Sequence, residues 1–151
     1  MNVFCDNYLE IVKKRVYNGT KQEKASAFYT LYNSLLVILK LFAPITPFIT
    51  EELYQKHYKM KEKVKSIHIS EWPKPFKIKE ERRDKEKFKL FLDVIAKVRK
   101  EKSKSKKPMN SEIILTIEKK QKESLKGLLE DLKAVTNSLK IEEGNFFVEF
   151  K

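Results

Sequence analysis

Two prolines three residues apart, Pro44 and Pro47, interrupt the stretch Leu41-Phe42-Ala43-Pro44-Ile45-Thr46-Pro47-Phe48-Ile49-Thr50-Glu51-Glu52-Leu53 and fix the direction of the chain there. The residue before a proline is pushed out of the α region, so Pro44 stops a helix; the fixed φ of Pro47 suits the first position of a new one, with Thr46 as its expected cap. The pattern predicts helix, corner, helix. Glu51 and Glu52 fall in the first turns of the second helix, where carboxylates complement the positive dipole end, and capping is the role expected of them. After a Lys-rich spacer, Ser66-Ile67-His68-Ile69-Ser70-Glu71-Trp72-Pro73 follows, and Trp72-Pro73-Lys74-Pro75 cannot be helical throughout. The alternation at Ile67-His68-Ile69 predicts a short extended segment inside an ordered loop over residues 59–79, pinned by Trp72.

Upstream of the corner the apolar residues recur at helical spacing. Phe4, Tyr8, Ile11, Val12 and Val16 predict a first helix over Asn2 to Tyr17, ended by Asn18-Gly19 as a left-handed cap. Thr20 with Glu23 three residues later is a capping box for the next helix. There Phe28, Leu31, Tyr32, Leu35, Ile38, Leu39 and Phe42 form an apolar face wide enough for a central helix, expected to be the most buried element. A fourth helix is predicted from about Glu80 to about Lys104, with Phe88, Phe91, Leu92, Ile95 and Val98 on its core side and Arg99, Lys102 and Lys106 continuing the stripe as cations.

Beyond Pro108-Met109-Asn110 the period changes. Ile113 to Ile117 reads as a strand, Lys119 to Leu132 as a helix, Ser138 to Ile141 as a strand, and Phe146 to Phe150 as a closing strand after Glu143-Gly144-Asn145. With only three glycines and five prolines among 151 residues, the class is mainly α. The predicted architecture is an antiparallel bundle of about four helices over residues 1–107, followed by a small β-α-β-β subdomain over residues 108–151.

The formal net charge is +12, and its placement says more than its size. Residues 74–107 carry 15 basic and 6 acidic side chains, against 11 and 7 in residues 1–73 and 7 and 8 in residues 108–151. Cations concentrated on one element suit a polyanion, because they release counterions when they meet phosphates. A Lys-rich surface that merely keeps the protein soluble is the competing explanation, and charge alone does not separate the two. Cys5 is the single cysteine, which leaves no internal disulfide and no cysteine-based zinc site. No uninterrupted apolar run approaches a membrane span, and the expectation is a cytoplasmic protein without a membrane partner.

Few residues are arranged for catalysis. His57 and His68 lack the spacing of a metal pair, so no metal site is predicted. Adjacent Glu51 and Glu52 stand about 100° apart on a helix and cannot face each other as an acid and a base. No glycine-rich phosphate cradle or nucleophile elbow is present, and no catalytic residue is assigned. Lys102-Ser103-Lys104-Ser105-Lys106-Lys107 reads either as a solvated helix end or as a phosphate-contacting tip. Tyr8, Phe28, Tyr32 and Phe42 are expected in the core. Tyr17, beside Lys13, Lys14 and Arg15, is the aromatic placed to stack an unpaired base.

Taken with their order, these residues resemble the C-terminal anticodon-binding domain of class I aminoacyl-tRNA synthetases of the valine, isoleucine and leucine group. The proline corner is shared across that group. Phe4-Cys5-Asp6-Asn7-Tyr8-Leu9-Glu10-Ile11-Val12-Lys13 with Arg15-Val16-Tyr17, Ser66 to Pro73, and Val94-Ile95 to Arg99-Lys100 and Lys102 favour the valine branch, and the β-rich end is similar to its archaeal type. The resemblance covers nearly the whole chain. It implies a module that holds the anticodon stem-loop of a tRNA while a catalytic domain of the same polypeptide uses ATP and Mg; the chain itself needs no cofactor and is expected to be a monomer. The His-x-Gly-His signature and the true Lys-Met-Ser-Lys-Ser loop are missing here, so Met1 is expected to mark an internal boundary of a longer polypeptide. The alternatives are the same domain of an isoleucyl- or leucyl-tRNA synthetase, or a standalone helical RNA-binding or interaction protein; a basic helix lying on anionic membrane is a further reading. On charge placement, the tRNA-binding candidates are Lys13, Lys14, Arg15, Tyr17, Arg99, Lys100, Lys102, Lys104 and Lys106.

Overall fold

The computed structural model describes residues 3–75 and 82–151. The expected helix starts at Asn2 and Glu80, and residues 76–79 of the expected loop, lie outside the described residues. The chain is mainly helical, with one three-stranded mixed sheet near its C-terminus. It divides into two compact units, Met1–Asn18 with Lys79–Lys151, and Gly19–Ile78. The expected boundary at 107/108 follows the change of period along the sequence, whereas this division follows packing. The first helix and the basic helix group with the sheet.

In the first of these units, a π-helical stretch, Val3–Tyr8, leads into α1 (Leu9–Asn18), and α5 (Arg82–Lys104) is the basic helix. The sheet consists of β1 (Ile113–Ile117), β2 (Ser138–Glu143) and β3 (Phe147–Phe150), with α6 (Lys119–Ser124) and α7 (Leu129–Thr136) between the first two strands. Where one helix is predicted over Lys119 to Leu132, a turn at residues 125–128 separates these two. β1 is central, parallel to β2 and antiparallel to β3. Ile113 pairs with Ser138 but Ile114 with Lys140, so Leu139 is an extra residue in the ladder. The chain must cross the end of β1 to pass from β2 to β3. Gly144 makes that crossing: its N–H donates to Ile117 O, and a Cβ there would lie 3.0 Å from Thr116 Cγ2.

The core of this unit joins Phe91, Val94, Ile95 and Val98 of α5 to the alternate residues Ile113, Leu115 and Ile117 of β1, with Leu125 and Leu132 among them. Period 3.6 on the helix meets period 2 on the strand, which is how a helix covers a sheet face. Phe88, expected on the core side of α5, is 36% exposed.

The other unit holds α2 (Lys21–Phe42), α3 (Pro47–His57) and the short α4 (Lys59–Glu62), then a 3₁₀ turn at Ile67–Ile69. The predicted capping box forms: Thr20 Oγ1 accepts from Glu23 N–H and the Glu23 carboxylate from Thr20 N–H. Several other expectations fail here. No described glycine has positive φ, so Gly19 is not a left-handed cap. Thr46 makes no side-chain cap; its hydroxyl donates back to Phe42 O. Residues 67–69 curl into a 3₁₀ turn because Ser66 Oγ accepts from His68 N–H, closing a local turn that alternation cannot reveal.

Tyr54, Tyr58, Leu36, Leu39, Ala43 and Ile67 form the core of this unit, with the Tyr32 and Tyr58 rings 4.6 Å apart. Each of those tyrosines spends its hydroxyl on a hydrogen bond, Tyr54 to Val64 O, Tyr58 to Tyr32 O and Tyr32 to Glu62. α2 is not the most buried element. Phe28, Leu35 and Phe42 are about half exposed, and only Ala27, Leu36 and Leu39 of that helix are buried. By length and composition alone α2 is apolar enough to cross a bilayer, which a search for uninterrupted apolar runs misses because Asn33, Lys40 and hydroxyl residues punctuate it.

Glu51 is a tie between α3 and the loop rather than a helix cap. Its carboxylate accepts from Gln55 Nε2, from Ser66 Oγ at 2.8 Å and from Ile67 N–H at 3.0 Å, with His68 Nε2 3.9 Å away. Burial opposes ionisation, but these donors and His68 outweigh it and hold the Glu51 carboxyl below its ordinary 4.5. The loop is therefore fastened by Glu51, Ile67 and a bond from Lys40 Nζ to Glu71 O; Trp72, expected to pin it, is 61% exposed. Glu51→Ala is expected to lower stability by about 2 kcal/mol, since it strands polar donors that shared one charged acceptor. A depressed carboxylate stabilises above its unfolded value and loses that contribution as pH falls through the folded one. Urea unfolding of Glu51→Gln should accordingly show a smaller loss of stability than wild type on acidification below 4.5.

Candidate nucleic-acid interface

The sequence predicts two sets of cations, one at the end of α1 and one at the end of α5, and both belong to one unit. They do not converge on a point. Lys14 Nζ binds Glu130 Oε2 at 3.0 Å, and the Arg15 fork lies on Asp131, with Nε 3.0 Å from Oδ1 and an Nη2 contact to Oδ2. That places the last turns of α1 at the first turn of α7. Lys102, on α5, instead reaches Thr136 O in the last turn of α7. The two anchoring contacts on α7, at Asp131 and at Thr136, are five positions apart, about 8 Å at the rise of an α-helix.

Lys102 is the clearest correction. The stripe that turns basic predicts an outward cation at this position, yet Lys102 is 1% exposed. Its ammonium donates to Met109 O, Ser111 O and Thr136 O, each at 2.8 Å, so all three N–H bonds are used by backbone carbonyls. Burial pushes its pKa down from the ordinary lysine value. Lys102 holds the turn after α5 against the end of α7 and cannot meet a phosphate.

Arg99 is also engaged internally. Its guanidinium donates to Asn7 Oδ1 at 3.0 Å and to Asp6 O at 3.1 Å, clasping the π-helical stretch at the start of the chain. Arg15 likewise has its fork on a carboxylate that is 7% exposed, so its first duty is to neutralise Asp131. Arg15→Ala is expected to destabilise the fold by about 2 kcal/mol by leaving Asp131 buried without its partner, read by urea unfolding.

The remaining candidates are presented to solvent. Tyr17 is 72% exposed in the last turn of α1. Lys13 pairs with Glu10 three residues back and Lys104 with Glu101, both exposed pairs of the kind that hold little energy and open readily to a stronger anion. Lys100 and Lys106 are exposed and have no ion-pair partner among the described residues. Lys106 sits in the left-handed region, φ 52°, where α5 ends, and this conformation turns the chain at the cationic tip.

A cleft of about 600 Å³ lies between α1, α5 and α7, lined in part by Glu10, Arg99, Met109, Asn110 and Asn137. Sequence reasoning does not single out Asn110 or Asn137. Asn137 is the left-handed cap of α7, and its Nδ2 donates to Asn110 O, so the turn after α5 and the entry to β2 are joined at the mouth of the cleft. The available signal is Asn137 between a helical period and a strand period, a position that favours asparagine for its backbone freedom. Among the described residues no group of His, Cys, Asp and Glu could hold a metal ion. The arrangement offers exposed ammonium groups, an exposed aromatic ring and amides, which suits binding rather than bond-breaking.

Comparison with known proteins agrees with that chemistry. The family model described as the anticodon-binding domain of tRNA ligase matches residues 1–119. The chain is 39% identical over 141 residues to a valine–tRNA ligase of Orientia tsutsugamushi, covering 89% of this chain and 16% of that protein. It is 36% identical over 112 residues to a valine–tRNA ligase of Pyrococcus furiosus, with 72% and 12% covered, and 41% identical over 69 residues to an isoleucine–tRNA ligase of the same organism, with 45% and 6% covered. The chain thus spans about a sixth or less of the length of these relatives. With the family match extending over most of its length, the chain belongs to the anticodon-binding domain family of tRNA ligases.

Proposed function

We propose that this chain is the part of a valine–tRNA ligase that binds the tRNA anticodon stem-loop and positions the tRNA for aminoacylation by a catalytic domain of the same polypeptide. The observation that carries this reading is similarity to several valine–tRNA ligases, at 34–39% identity, along 86–93% of the chain. ATP and Mg chemistry belongs to the catalytic domain in this reading, and the location is cytoplasmic. The chain acts as a monomer without a membrane partner.

Lys100, Lys104 and Lys106 at the tip of α5 contact phosphates, joined by Lys13 on α1. Tyr17 stacks an unpaired base, and Lys14 adds to the local positive potential while tied to Glu130. Arg15, Arg99 and Lys102 hold the scaffold from which the others project. Titrating valine tRNA against salt tests this. Four phosphate contacts predict a log K against log salt slope of about −3. A flat line, or equal affinity for an unrelated hairpin, would count against anticodon recognition.

A further inference from the structure

The proline corner is the most patterned stretch of the chain, and its apolar residues point the wrong way for a scaffold. Ala43, Thr50 and Tyr54 face the core, but Leu41 is 44% exposed, Phe42 46%, Ile45 73%, Phe48 90% and Ile49 55%. Trp72 adjoins them, lining a shallow cleft of about 290 Å³ with Ala43 and Pro44. Large apolar residues scattered singly on a surface need no explanation, but this many within one corner mark an interaction site.

Composition identifies the kind of partner. In a chain that is 36% charged, residues 41–50 contain no Asp, Glu, Lys or Arg. A surface for RNA needs cations; residues 41–50 supply none, and Lys40, which lines the cleft beside Trp72, has its ammonium bonded to Glu71 O. The centre of a protein–protein interface is where charge is depleted and aromatic residues are enriched. The relatives supply a partner of the right kind: about five sixths of the Orientia protein lies outside the stretch matched here. We propose that the α2–α3 corner, with Phe48 as its most protruding residue, is the surface on which this chain docks against the remainder of its own polypeptide. The proposal rests on the ligase reading, and it moves the corner from scaffold to interface.

Hydroxyl-radical footprinting of the 151-residue chain alone and of the full-length polypeptide tests it. Expected is a fall of about fivefold in labelling at Phe48, Ile45 and Trp72 in the full-length protein, as for side chains entering a desolvated interface centre, with Tyr17 labelled equally in both. Phe48→Lys combined with Ile45→Lys should restore Trp72 labelling in the full-length protein while leaving the free chain folded, because both residues are already exposed there. Equal labelling of Phe48 in both contexts overturns the proposal. So does protection of the free chain by added tRNA, by its own concentration or by anionic phospholipid vesicles, which would assign the corner to RNA, a second copy or a membrane. Valine tRNA binding by the free chain, measured in parallel, separates the two ideas. Loss of binding defeats the ligase reading, whereas retained binding with an unprotected corner defeats only the docking.

Discussion

Lys102→Ala is expected to lower the stability of the protein by about 4 kcal/mol, the largest effect of any single substitution considered for this chain. The side chain is buried, and its ammonium satisfies three carbonyls drawn from the turn after α5 and the last turn of α7. Truncation leaves those acceptors short of a donor and opens a void beside Val98, and each defect alone costs on the order of 1–3 kcal/mol. Since domains of this size hold only about 5–15 kcal/mol in total, the variant should approach the edge of folding at ambient temperature. Lys102→Met refills the void without restoring a donor, so it should recover part of the loss. Lys100→Ala, two residues away on the exposed face, should fall within about 0.5 kcal/mol of wild type. Urea unfolding gives the three values. Hydrogen exchange should also show faster exchange at Ser111 and Asn137 N–H in Lys102→Ala; a midpoint equal to wild type would show that the carbonyl cage carries no weight.

The same lysine marks where reading the sequence succeeds and where it stops. Period, caps and composition are local, and they locate most of the elements: the capping box at Thr20 and Glu23, the end of α2 at Phe42 ahead of Pro44, although Ala43 keeps helical angles instead of leaving the α region, β1 at Ile113 to Ile117, and the two closing strands. Family membership is legible for the same reason, because the motifs that carry it are contiguous. What fails depends on partners distant in sequence. The stripe from Phe91 to Val98 extends to position 102 on the same face, and a lysine there can point outward or turn inward to meet carbonyls. The fold of the turn after α5, which brings up Met109 O and Ser111 O, and the arrival of Thr136 O from 34 residues later decide it. Arg15 is legible as a cation but not as the partner of Asp131, and Glu51 as an acidic residue near a helix start but not as the acceptor for Ser66 and Ile67. The apolar width of α2 is legible too, but burial does not follow from it. An apolar face is equally what a helix shows when its covering surface lies elsewhere.

Reversing charge at the tip of α5, with Lys100→Glu, Lys104→Glu and Lys106→Glu together, is expected to weaken valine tRNA binding by at least about a hundredfold and to lessen the salt dependence by about 2 or more in slope, at about 0.7–0.9 for each phosphate no longer neutralised. These three residues are chosen because the structure leaves them exposed, the strongest attachment among them being the exposed pair of Lys104 with Glu101. Their replacement should therefore register in affinity and not in folding, which circular dichroism and urea unfolding can verify on the same sample. Lys102 cannot serve this purpose, since its removal damages the fold, and Arg15 serves it poorly because any loss is shared with Asp131. The companion variant is Tyr17→Ala, which removes no charge. If Tyr17 stacks an unpaired base, its removal costs about 1–3 kcal/mol on tRNA with an intact anticodon loop, less on a continuous duplex, and leaves the salt slope unchanged. Phosphate contacts predict the opposite combination, a loss shared by all RNAs of similar shape together with a shallower slope. The two variants thus assign the ends of α1 and α5 to different parts of recognition. Undiminished affinity in the triple variant would mean that the basic segment over residues 74–107 keeps the protein in solution and leaves tRNA to other surfaces.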